Sequence, residues 1–145
     1  LAAVVMDCAG EGSVVFVAGS AASPPTWSFR SARYTATGAP DPTFGSAGVA
    51  APFVATNSRG GAVRVLAGGR ILVSGSASDA PGQFEPFSLA LTSGGTPDAA
   101  YGGDGIKRAP SAEPVDGYGM VVQASGRAVV IGLGTGYQLV RFTDG

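Results

Sequence analysis

Six carboxylates, Asp7, Glu11, Asp79, Glu85, Glu113 and Asp116, are the side chains of this sequence best suited to catalysis. Two of them facing each other across a cleft could hydrolyse a glycosidic bond unaided, one protonating the leaving oxygen while the other attacks or activates water. No two stand at a spacing that places them across one cleft. Other chemistry is scarcer still. There is no histidine, and Cys8 is the single cysteine, so the usual metal ligands and base-activated nucleophiles are missing. With nothing beside it to activate the thiol, Cys8 reads as a small buried hydrophobe. A single cysteine also leaves the redox compartment unspecified.

A second set of residues carries recognition. Three segments of different length, 21–27, 77–85 and 134–137, each end at or near an aromatic: Trp27, Phe84 and Tyr137. Variable loops on one rim are where binding specificity is usually placed, which makes these three the candidate ligand-binding residues. The plainer reading has them opening a strand and packing on a neighbouring sheet. Arg33 and Arg141 could read an anion or tie strands together through carbonyls and carboxylates, and the recurrence of their position favours the second. The segments Asp41-Pro-Thr-Phe44-Gly45 and Asp98-Ala-Ala-Tyr101-Gly102 read as tight structural turns. Each Asp can accept backbone N–H bonds one or two residues on, each Gly can take positive φ, and Phe44 or Tyr101 can plug the space between sheets. The alternative role is calcium ligation by Asp98 and Asp104, but a full shell needs about six to eight oxygens. The expectation is therefore no metal and no cofactor.

The elements that must position these residues come from a recurring pattern. Gly69-Arg-Ile-Leu-Val-Ser-Gly75 lies 57 positions before Gly126-Arg-Ala-Val-Val-Ile-Gly132, and the Asp41 turn lies 57 positions before the Asp98 turn. An earlier version of the first landmark spans 12–19. Each copy reads as four short strands, in the first at about 4–6, 14–18, 29–35 and 49–54. The 24 Gly and 10 Pro residues leave no window for an α-helix, so the fold is all-β. The second strand of each copy (14–17, 71–73, 129–131) is continuously apolar, which implies burial on both faces. Stacked four-stranded sheets bury their middle strands in that way. The predicted architecture is a β-propeller-like array of four-stranded antiparallel blades, about two and a half to three in this chain. It forms one domain over 1–145, with copies at about 1–61, 62–118 and 119–145.

At an apolar strand closing on Gly (Gly19, Gly75, Gly132), an Arg-aromatic strand end (Arg33-Tyr34, Arg141-Phe142) and Asp-x-x-[Phe/Tyr]-Gly-x-x-Gly, the sequence resembles the delta-60 repeat family. The resemblance implies a bacterial, tandemly repeated, propeller-like domain of a secreted or cell-surface protein, with no established activity. Ala90-Leu91 stands where the family pattern has Arg-aromatic, and the last copy lacks its Asp-x-x-Phe-Gly turn.

Charged residues are 13%, with 9 basic against 10 acidic, which leaves no electrostatic footprint for nucleic acid or an anionic membrane surface. No apolar run approaches the roughly 18 residues of a membrane helix. The leading expectation is a non-catalytic scaffold or interaction module, binding protein or glycan through the loop rim. A carboxylate-dependent glycoside hydrolase or lyase is the rival reading, and a pure spacer is the third. Eleven strands cannot close a ring of four-stranded blades. The chain is therefore expected either to continue into further blades or to associate head to tail.

Overall fold

The computed structural model describes residues 3–11, 14–23 and 26–143, with side chains described from residue 26 onward. Its strands are β1 (Ala3–Glu11), β2 (Val14–Ser23), β3 (Thr26–Tyr34), β4 (Val49–Ala50), β5 (Asn57–Val65), β6 (Ile71–Ser78), β7 (Glu85–Leu91), β8 (Ile106–Arg108), β9 (Asp116–Val122), β10 (Ala128–Leu133) and β11 (Tyr137–Phe142). They form three antiparallel sheets in simple meander order: β1-β2-β3-β4, β5-β6-β7-β8 and β9-β10-β11. The fold is all-β. Sheets 2 and 3 begin at Asn57 and Asp116, so boundaries drawn at 61 and 118 fall inside β5 and β9.

Local chemistry explains the elements. Glycines at positive φ, Gly69 at 80° and Gly126 at 83°, close the hairpins that lead into β6 and β10. Between them the β-branched and apolar runs pair over their whole length. β4 is far shorter than the expected 49–54, since only Val49 and Ala50 find partners, opposite Ala32 and Ser31. Pro52 follows at once, and proline has no N–H to extend a ladder. β1 is longer than expected and carries a register shift between Val5 and Asp7.

The described side chains pack in two clusters, one at each junction between sheets. Phe29 and Phe44 of the first sheet region meet Val63, Ile71, Val73, Phe87, Leu89 and Leu91 of sheet 2. The Phe29 and Phe87 rings stand edge to face, 6.0 Å between centroids. On the far side of sheet 2, Ala62, Leu72, Ala90 and Tyr101 meet Met120, Ala128, Val130 and Phe142 of sheet 3. β6 serves both clusters, so all eight of its residues are buried. The expectation of two-sided burial holds there and fails for β10, while the side chains of 14–17 lie outside those described. Ala128 and Val130 are buried, but Ile131 and Leu133 are exposed, because sheet 3 is covered on one face only. The first strand of sheet 2 is the pivot of the stack, with β5 lying against β1 on one side and β9 on the other.

Candidate functional site

The two Asp-x-x-aromatic-Gly turns are held by side-chain hydrogen bonds and positive-φ glycines. Asp41 Oδ1 accepts the Thr43 N–H at 2.9 Å and the Thr43 hydroxyl at 2.7 Å, and Asp98 Oδ1 accepts the Ala100 N–H at 3.0 Å. Gly45 and Gly102 sit at φ 55° and 70°. A side chain at Gly45 would drive into the Val49 carbonyl as well as strain the backbone. Phe44 and Tyr101 are fully buried in the first and second junctions.

Each turn locks onto the sheet that follows. The Gly45 N–H donates to the Gly94 carbonyl of sheet 2 at 2.8 Å, and the Phe44 ring presses on Gly95. Arg33 does three jobs here: it pairs with Asp41 at 3.0 Å, lies 5.1 Å from the Phe44 ring centroid and donates to the Ser93 carbonyl at 2.6 Å. In sheet 2 the equivalent residue is Ala90, and the same jobs are divided between two other cations. Arg70 pairs with Asp98 at 2.6 Å, while Lys107 lies 4.7 Å from the Tyr101 centroid and donates to the Thr143 carbonyl just after β11. The Tyr101 hydroxyl adds a buried hydrogen bond to Ser88 Oγ at 2.9 Å. The carboxylates respond to these partners. The Thr43 hydrogen bonds, assisted by Arg33, hold the Asp41 carboxyl below its ordinary range; the Ala100 N–H, then Arg70, do the same to Asp98.

Of the three rim aromatics, two come together. Trp27 and Phe84 flank the Arg59 guanidinium, at 5.8 Å and 4.9 Å from their centroids. Trp27 N–H donates to Asn57 Oδ1 at 3.1 Å, and the Phe84 carbonyl accepts the Val115 N–H at 2.8 Å. Tyr137 lies apart on sheet 3, 88% exposed. Arg59 carried no signal in the sequence: its aromatic partners lie 25 to 32 residues away and only the fold joins them. Beside this cluster opens a groove of about 220 Å³ whose lining includes Thr26, Thr56, Asn57 and Asp79.

Three of the carboxylates considered for hydrolysis, Asp79, Glu85 and Glu113, have partners of their own. Asp79 accepts the Thr56 N–H at 2.9 Å and shares Arg108 with Glu85. The Thr56 N–H, then Arg108, hold Asp79 below its ordinary range, so it keeps no proton to donate at neutral pH. Glu113 accepts the Thr135 hydroxyl, and Asp116, on β9, has a buried Oδ1 without a hydrogen-bond partner. Asp104, named for calcium, accepts the Ile106 N–H at 2.9 Å. Asp7, Cys8 and Glu11 fall outside the described side chains. Among the described residues no group of three His, Cys, Asp or Glu side chains is placed to hold a metal ion. Among the described residues no helix is long and apolar enough to cross a membrane.

No known family model matches the chain, and neither does any curated protein.

Proposed function

We propose that this chain is a non-catalytic scaffold module, a propeller-type array of repeated sheets in which each blade docks onto the next. One observation carries the reading. The turn aromatic and its cation take the same position at both junctions, Phe44 with Arg33 at the first and Tyr101 with Lys107 at the second, even though the cations come from different strands. A catalytic residue needs to occur once; a docking element recurs with every blade. The adjacency of β5 to both β1 and β9 supports a blade-like arrangement with first strands innermost. Resemblance to the delta-60 repeat family supports placing it in a bacterial secreted or surface protein. A panel of glycosides and polypeptides assayed for both binding and turnover tests the reading. The expected result is no turnover; hydrolysis that Asp79→Asn or Glu85→Gln abolishes would overturn it.

A further inference from the structure

Trp27 and Phe84 stand 57 positions apart, at one place in the repeat, and their rings flank the Arg59 guanidinium at 5.8 Å and 4.9 Å. Aromatic rings hold a guanidinium in place but give its in-plane N–H groups no acceptor. Arg59 Nε is buried without a hydrogen-bond partner, and among the described residues no carboxylate pairs with this cation. Its neighbours are spent otherwise: Arg33 on Asp41, Arg70 on Asp98, and Arg108 on Asp79 and Glu85. Buried donors are nearly always satisfied, and a planar fork held by rings with its donors unused is shaped to receive a carboxylate.

What lies beside the fork is suited to more than a bare anion. Asn57 precedes Arg59 by two residues on β5, so the two share a face of the strand. Asn57 also lines the groove of about 220 Å³, and its Oδ1 takes the Trp27 N–H at 3.1 Å, which ties the ring to the groove wall. At about 30 Å³ per water the groove holds roughly seven waters, which is room for one small ring and less than the roughly 300 Å³ of a pocket for a larger ligand. Its lining is mixed: Thr26, Thr56 and Asp79 offer polar groups, Ala80 and Pro81 aliphatic surface. Asp79 is fixed by the Thr56 N–H on Oδ1 and by Arg108 on Oδ2, and a carboxylate has lone pairs beyond those two for hydroxyl donors. A sugar ring, with hydroxyls at its edge and C–H groups on its faces, matches that lining.

We infer that the rim between sheets 1 and 2 binds an acidic glycan, with a uronate carboxylate in the Arg59 fork between Trp27 and Phe84 and a sugar ring in the adjoining groove. The guanidinium supplies the charge-assisted bonds that select the carboxylate, and the groove supplies the contacts that select a sugar over a simple anion. The site needs only the stacking of sheets 1 and 2, and it adds a ligand to the scaffold reading without requiring catalysis.

Trp27 is the single tryptophan, so its fluorescence reports on the site in the full chain. Titration with oligomers of galacturonate, mannuronate and glucuronate, followed by fluorescence and by calorimetry, should give a saturable response to at least one of them, weakened by added salt. The carboxyl-reduced form of that oligomer should bind at least tenfold more weakly, because a hydrogen-bonded charge pair is lost. Arg59→Gln should lose affinity by a similar factor with its urea unfolding transition still cooperative, and Arg59→Lys, which keeps the charge but not the fork, should fall between. The comparison of oligomers needs no variant, so it decides the matter even if Arg59→Gln does not fold. No saturable response to any of the three uronates, equal affinity for the carboxyl-reduced oligomer, undiminished binding by folded Arg59→Gln, or acetate binding as tightly as the oligomer would overturn the inference. Each result reads binding and none reads turnover, so the scaffold reading stands or fails separately.

Discussion

Replacing Phe44 by alanine puts the docking role of the turn aromatic to a quantitative test. The ring is 0% exposed, packs with Phe29, Phe87 and Leu91 across the first junction, and bears on Gly95 of the following sheet. Truncating a fully buried phenylalanine costs about 3–5 kcal/mol through lost transfer energy and the cavity left behind. Arg33 also loses the ring it lies over, a contact worth roughly 0.5–1 kcal/mol at a partly exposed site. Against a typical total stability of about 5–15 kcal/mol, that is a large share. At about 2–4 °C per kcal/mol for a chain of this size, the melting temperature should fall by roughly 7–24 °C. Urea unfolding followed by circular dichroism and by fluorescence of Trp27, the single tryptophan, gives the free energy, and Phe44→Leu should cost much less. A loss under about 0.5 kcal/mol for the alanine variant would mark Phe44 as a surface residue and refute the reasoning.

Gly45→Ala should cost more than about 1 kcal/mol, because positive φ and the Val49 carbonyl both oppose a Cβ. Gly82→Ala, with φ 75° but open space around it, should cost less, and equal losses in urea unfolding would contradict the local account. The folded-state depression of the Asp41, Asp79 and Asp98 carboxyls contributes stability above the unfolded value of 3.8, lost as pH falls below it. Urea midpoints measured from pH 7 to pH 2 should therefore drop on the acid side, and should drop less steeply for Asp98→Asn. Melting temperature should be the same in chelator and in millimolar calcium, since Arg70 and the Ala100 N–H already occupy Asp98. A calcium-dependent rise of several degrees that Asp98→Asn removes would make that turn a metal site. Tyr101→Phe should cost about 1–3 kcal/mol by leaving the buried Ser88 hydroxyl without its donor, read by the same unfolding curves.

The sequence made the turns and the middle strands legible because their determinants are local. Asp-x-x-Phe-Gly contains its own hydrogen-bond acceptor, its own positive-φ residue and its own plug, so no distant partner is needed to read it. The run at 71–73 likewise announces a strand apolar on both faces. What escaped was set by partners far along the chain. The loss of arginine at Ala90 looks like a departure from the pattern, yet Arg70 and Lys107 restore both the ion pair and the ring contact from other strands. Arg59 between Trp27 and Phe84 is visible only once sheets 1 and 2 are stacked. The apolar run of β10 resembles that of β6, and composition alone cannot say that one of its faces lies open.

The central claim is that consecutive sheets are stacked face to face with the turn aromatic wedged in the junction, and nuclear Overhauser contacts test it most directly. At concentrations where the chain is monomeric, cross-peaks are expected between the Phe44 ring and the Gly95 α protons and between the Phe29 and Phe87 rings at the first junction. At the second junction the Gly117 amide proton should show a contact to the Ser76 β protons. Strong contacts within each sheet with none of these across the junctions would contradict it.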